Sequence, residues 1–172
     1  MSERQDKRSQ FQQEKKRHPV LWIAIALVAA VAAAGIVGWK SAGDSGGAAY
    51  PTLVSEGGNV IVPLAQVSDG KAHYFSYRSG EAYVNFFLLQ SHDGVVRAAF
   101  DACDVCFHAR KGYRQEGDSM VCNNCGMKFR SDMINEVKGG CNPAPIERSV
   151  ADGRIVIAAA DLEQGGRYFP QQ

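Results

Sequence analysis

The sequence has almost no net charge: over 172 residues, 19 Lys and Arg stand against 18 Asp and Glu. That balance excludes a generally basic nucleic-acid binder. The chain also lacks a phosphate loop and a dinucleotide fingerprint. Nothing in it points to turnover of a small substrate, so an electron carrier is the most that an enzyme reading allows. It does not lack apolar residues, which make up 45% and exclude a disordered chain.

Charge is missing altogether from Val20 to Trp39. The stretch VLWIAIALVAAVAAAGIVGW runs for 20 residues without Asp, Glu, Lys, Arg, Asn or Gln. As a helix it spans roughly 30 Å, the thickness of a bilayer core. Trp22 and Trp39 lie near its ends, where indole rings prefer the interface. The run exceeds the roughly 7–15 apolar residues of a cleaved signal, so an uncleaved transmembrane helix is expected at 20–39. Six basic residues precede it in 1–19, and only Lys40 closely follows. The positive-inside rule therefore places arm 1–19 in the cytoplasm and the rest outside.

After the span, residues 40–58 are rich in Gly, Ser and Ala and are expected to form a flexible linker. The remainder, 59–172, reads as one modest β-rich domain. Asp69-Gly70, Asp93-Gly94 and Asp152-Gly153 separate apolar runs, and Asp-Gly tolerates the positive φ of tight hairpin turns. Ser79-Gly80 is a fourth turn signal. Strands are expected at 59–67, 72–78, 82–90 and 95–100, with a later hairpin from 146–150 and 154–159. Pro63 marks the first as an edge or a break. A short helix is expected at 131–137, with Ser131 as its cap.

Five cysteines, Cys103, Cys106, Cys122, Cys125 and Cys141, fall within 39 residues. The first four form C-x2-C-x15-C-x2-C, a spacing that sets four thiolates around one metal. Two cysteines three apart on a tight turn aim their sulfurs at one point, and backbone N–H groups of the turn spread the charge. Gly126, after Cys125, permits the left-handed turn such a knuckle needs. Outside the cytoplasm the same pairs fit redox or structural disulfides as well. Covalent haem needs C-x-x-C-H, and here His108 follows Cys106 one place too late. Zinc and an iron–sulfur cluster both accept the ligand set. Cys141, in the turn-dense Gly139–Pro143 loop, fits a further ligand, a free thiol or a buried structural cysteine. Among nitrogen donors His108 lies nearest the cysteines in sequence, ahead of His73 and His92. Met120, Met127 and Met133 offer thioethers, although packing accounts for them equally well.

These residues resemble the membrane iron–sulfur-containing FtrD-like family. The resemblance is carried by AAFDACDVC at 98–106, KGYRQEGDSMVCNNCG at 111–126, INEVKGGCNPAP at 134–145 and DLEQGGRYF at 161–169. DGKAHYFSY at 69–77 adds to it. It implies a bacterial membrane protein, an iron–sulfur cluster on the five cysteines and an association with iron uptake. Tyr113 and Arg114 fall within these motifs without a chemistry legible in the sequence. The expected fold is a mainly β exported domain with a zinc-ribbon-like double Cys-x-x-Cys module, preceded by one N-terminal transmembrane helix. The expected function is a metal-binding, iron–sulfur protein of the bacterial cytoplasmic membrane, with the bilayer and membrane iron-transport or redox components as partners. A structural zinc module and a thiol–disulfide protein are the alternatives.

Overall fold

The computed structural model describes residues 49–169. The expected arm at 1–19, the span at 20–39 and linker residues 40–48 lie outside the described residues. Among the described residues, no helix is long and apolar enough to cross a membrane.

The strands are β1 (Thr52–Leu53), β2 (Asn59–Pro63), β3 (His73–Ser79), β4 (Ala82–Gln90), β5 (Val96–Phe100), β6 (Tyr113–Glu116), β7 (Ser119–Cys122), β8 (Lys128–Arg130), β9 (Ser149–Ala151) and β10 (Arg154–Ala158). One helix of six residues, α1 (Ala159–Gln164), follows β10. The strands form three sheets, ordered β1-β3-β4-β5, β2-β10-β9 and β6-β7-β8. The mainly β expectation holds.

Strand β4 explains the arrangement. Its AYVNFFLLQ run is apolar without alternation, as in a strand covered on both faces. Phe86 and Leu88 enter one core with Val60, Val62, Ile155 and Ile157 of the β2-β10-β9 sheet. Phe87 and Leu89 enter a second core with Tyr113, Met120 and Cys122 of the β6-β7-β8 sheet. The four-stranded sheet is therefore the middle layer of three.

Three expected turns close hairpins as the sequence suggests. Asp152 (φ 51°) and Gly153 (φ 70°) form the two-residue turn between β9 and β10. The loop holding Asp93-Gly94 joins β4 to β5, while Gly80 and Glu81 join β3 to β4. The pair Asp69-Gly70 does something else. Strand β2 stops at Pro63, gives way to a 3-10 turn at Leu64–Gln66, and pairs with β10 across the register Asn59↔Ala158 to Pro63↔Arg154. Asp69-Gly70 thus carries the chain between sheets. Pro63 sits at the end of an edge strand, as expected for a residue without an N–H.

Three further expectations are corrected. Tyr50 to Gly58, assigned to the linker, join the fold. Tyr50 stacks on Tyr74 at 5.0 Å between centroids, and β1 runs parallel to β3. The helix expected at 131–137 is a 3-10 turn at Ser131–Met133. The Ser131 hydroxyl donates to Asp118 instead of capping, and Asn135 turns left-handed at φ 73°. Its amide then pairs with the Ala98 backbone, accepting at 3.1 Å and donating at 2.7 Å. Lastly, the strand expected at 154–159 ends at Ala158 and becomes α1, whose Leu162 is fully buried.

Arg97 of β5 is the polar node of the second core. Its side chain is 4% exposed and donates to Asp93 at 2.7 Å and Glu136 at 2.5 Å. It also donates to the Ile134 carbonyl at 3.1 Å, which pins the segment leading to Cys141. Beyond it, residues 144–146 run along β5: Phe100 N–H donates to Ala144 O at 2.8 Å and Ile146 N–H to Ala98 O at 3.0 Å.

At the end of α1, Gly165 has ordinary helical φ (−69°), but a Cβ there would overlap the Phe100 ring. Gly165→Ala is expected to lower stability by about 1–3 kcal/mol through overpacking. Gly166→Ala meets nothing within 4 Å and should stay within about 0.5 kcal/mol of the parent. Urea unfolding of the two variants side by side checks both; equal midpoints would refute the packing argument.

Candidate metal centre

The five cysteines come from three segments of the fold. Cys103 follows the end of β5, and Cys106 precedes a 3-10 turn at Phe107–Ala109. Cys122 closes β7, and Cys125 lies in the turn between β7 and β8. Cys141 lies in the loop that returns to β5. Within this set, the sulfurs of Cys103, Cys106 and Cys122 all lie within 4.8 Å of one another. Those of Cys106, Cys125 and Cys141 do the same. Cys106 belongs to both groups, and its sulfur is 3.9 Å from that of Cys141. Two thiolates sharing one tetrahedral ion at about 2.3 Å stand about 3.8 Å apart, so this spacing suits a shared ion.

Each Cys-x-x-Cys turn supplies donors to sulfur. In the first, Cys106 N–H donates to Cys103 Sγ at 3.2 Å. In the second, the N–H groups of Cys125 and Asn124 face Cys122 Sγ, while Gly126 N–H donates to Cys122 O at 2.9 Å and Cys122 N–H to Met127 O at 3.0 Å, closing a knuckle. Gly126 takes φ 75°, as the knuckle requires. The sulfurs differ in acidity as a result. Burial pushes the Cys122 thiol up to about 11, opposed by the N–H groups of Cys125 and Asn124. The Cys141 thiol is pushed up to about 12, first by its hydrogen bond with the Cys125 sulfur and then by burial. Cys125 moves the other way, chiefly because the Met127 N–H points at it. A metal ion binds thiolates, so occupancy would release protons from the raised thiols.

Residues outside the cysteines hold these turns in place. The Tyr113 hydroxyl donates to the Cys141 carbonyl at 2.6 Å, and burial beside the Cys103 sulfur keeps it protonated. Asn123, inside the knuckle, donates from its side chain to Lys111 O at 2.8 Å and from its backbone to Gly112 O at 2.9 Å. Arg114 fixes Asn123 in turn, donating to its Oδ1 at 2.8 Å. Sequence reasoning saw Tyr113 and Arg114 only as motif residues; their neighbours in space give them their roles.

Asp101 is the other residue the sequence did not single out. Its carboxylate accepts from the Tyr113 N–H at 2.7 Å and the Tyr50 hydroxyl at 2.9 Å. A Cβ at Gly112 would overlap that carboxylate. Buried two residues before Cys103, Asp101 joins the N-terminal segment, β5 and β6 at one point. Burial raises its carboxyl to about 6, against the pull of the two hydrogen bonds. The only advance signal was a carboxylate among apolar neighbours in AAFDAC.

The other expected ligands lie elsewhere. His108 is exposed, with its ring 3.8 Å from that of Phe107, and belongs to neither sulfur group. His73 pairs with Asp69 at 2.8 Å, and His92 with Asp118 at 2.9 Å. Met120 is core, while Met127 and Met133 are exposed. Beside the sulfurs lies a cavity of about 480 Å³. Cys103, Cys106 and Cys122 line it together with Tyr113, Tyr168 and Phe107; Cys125 and Cys141 do not.

A family model described as membrane iron–sulfur-containing protein, FtrD-like, matches residues 67–169. No curated protein and no solved structure matches the chain.

The Asp101 carboxyl titrates near 6 in the fold, against about 3.9 in an unfolded chain. Between those values the folded state binds more protons, so stability falls as pH rises through the window. At full effect the shift is worth about 3 kcal/mol. Asp101→Asn removes the titration. The unfolding free energy of the parent, relative to this variant, should therefore increase by up to about 3 kcal/mol from pH 7 to pH 4. Urea titrations at the two pH values measure it; a difference that stays constant would refute the assignment.

Proposed function

The chain belongs to the membrane iron–sulfur-containing FtrD-like family, and from that premise we propose that it carries electrons through an iron–sulfur centre on its cysteines, in the service of bacterial iron uptake. One observation carries the reading: five cysteine sulfurs, from turns distant in sequence, meet at one place beside backbone N–H donors. The donor set is all thiolate, which suits iron–sulfur chemistry and soft or borderline ions. Cys103, Cys106, Cys122, Cys125 and Cys141 are the proposed ligands; His108 is left outside the set.

When bound, such a centre supplies reversible one-electron chemistry, and the protein sets its potential. The Cys106 N–H on Cys103 and the burial of Cys103 and Cys122 are the means available here. Tyr113 restrains the Cys141 loop through its carbonyl. The cavity along Cys103, Cys106 and Cys122 brings solvent or a partner's group close to one side of the centre.

In this reading residues 20–39 cross the membrane, 1–19 lie in the cytoplasm, and the β domain faces the periplasm. Tethering raises the local concentration of the domain beside a membrane partner. That partner belongs, in this reading, to an iron-transport or redox system.

A structural zinc site in a ribbon-like module is the second reading. The 3.9 Å separation of the Cys106 and Cys141 sulfurs fits it, since closed tetrahedral zinc has about that edge length. Purifying the full chain without oxygen or added metal separates the two. Visible absorption with iron and acid-labile sulfide is the expected outcome. Zinc without colour or sulfide would replace the electron carrier with a metal-stapled binding module. No metal, with the cysteines paired, would overturn both in favour of thiol–disulfide chemistry.

A further inference from the structure

A single tetrahedral ion needs four thiolates, and this site gathers five. The fifth is no bystander. The sulfurs fall into two groups of three, Cys103–Cys106–Cys122 and Cys106–Cys125–Cys141, each within 4.8 Å. Cys106 is common to both. We infer that the centre holds two metal ions, with the Cys106 thiolate bridging them. Cys103 and Cys122 complete the first group, and Cys125 and Cys141 the second. This rests on the reading that the cysteines bind metal, and deepens it by assigning nuclearity and the role of each sulfur.

Charge supports the assignment. Two like charges about 4 Å apart repel strongly where little water screens them. The Cys106 and Cys141 sulfurs stand at that distance. One divalent ion among five thiolates leaves a net charge of −3, whereas two leave −1. A second ion therefore lets every sulfur of the group ionise without leaving one thiolate beside another uncompensated. Bridging is also what thiolate does readily, since sulfur keeps lone pairs after its first metal bond. The fold prepares the shared position. Cys106 sits between the buried pair and the outer pair, half-buried, with its own N–H turned toward Cys103.

The two positions differ in surroundings. Cys103 and Cys122 are buried and border the cavity with Cys106. Cys125 is exposed, and Cys141 lies in the loop held by Tyr113. Ions of one element should therefore fill the two groups as distinguishable sites. The class of ion is divalent and thiophilic: ferrous iron, zinc or cobalt.

Cobalt(II) is the probe, because its thiolate complexes absorb in the visible and carry unpaired spin. Metal-free, reduced full-length chain in detergent is titrated with cobalt(II) chloride under argon. The expected result is saturation at two cobalt per chain. The high-spin cobalt resonance should grow to one equivalent and then weaken, because a shared sulfur couples the two spins. Cys125→Ser and Cys141→Ser should each leave one cobalt per chain, and Cys106→Ser should weaken both positions. Saturation at one cobalt, or two cobalt with undiminished resonance, would overturn the bridge and leave the metal-site reading standing. No cobalt uptake by the unmodified chain would overturn both. The coupling measurement needs no variant, so it decides the matter even where a cysteine variant fails to fold.

Discussion

Burial of β4 on both faces is the constraint from which the rest of the domain follows. A strand with Phe86 and Leu88 on one side and Phe87 and Leu89 on the other needs two coverings. Each such side chain contributes about 1.5–3 kcal/mol when fully buried, so neither face can be left to water. The β2-β10-β9 sheet covers one face with Val60, Val62, Ile155 and Ile157. The β6-β7-β8 sheet covers the other, and its contribution includes Tyr113, Met120 and Cys122. The cysteine site is thus built into the seam between two layers. Cys103 and Cys122 are core residues of that seam as well as candidate ligands, which is why they are buried and Cys125 is not.

This placement separates two demands on the same residues. A closed apolar seam excludes water and favours neutral groups, as the weakened acidities of Cys122 and Asp101 show. A thiolate site needs charge. The N–H donors on the sulfurs and the proposed ions reconcile the two, because they compensate charge where solvent cannot. Asp101 has no such ion and relies on hydrogen bonds alone. Burial outweighs those two donors and leaves its carboxyl raised.

The strands flanking Asp93-Gly94 and Asp152-Gly153 were legible because turn chemistry and strand length are local properties. The run AYVNFFLLQ was legible as a strand, but its double burial was visible only as a missing alternation. Strands β6 to β8 were not recognised. YRQE and KFR are too polar to advertise themselves, and they hold together through pairing and the Cys122 knuckle. The tether was overextended because Tyr50 finds its partners, Tyr74 and Asp101, well down the chain. At the site, paired cysteines at short spacing carried a clear signal. Their grouping did not, since it depends on how β5 and the Cys141 loop meet in space. His108 illustrates the limit of proximity in sequence: two residues from Cys106, its ring lies against Phe107 in a 3-10 turn.

The motif residues without legible chemistry show the same logic from the other side. Tyr113 contacts the Cys141 carbonyl through its hydroxyl, Asp101 through its N–H and Tyr74 through its carbonyl. One residue thereby ties the loop of the fifth cysteine, the strand leading to the first, and the central sheet. Arg114, next to it, reaches Asn123 in the knuckle. A lone Cys141 in a Gly-rich loop would sample many positions, at a conformational cost of about 1–2 kcal/mol per residue to order. Held by the Tyr113 hydroxyl, and followed by residues 144–146 paired along β5, the loop is ordered by the fold itself. The Cys141 sulfur therefore reaches the Cys106–Cys125 pair with that cost already met. This is the condition under which a fifth ligand strengthens a centre rather than competing with it.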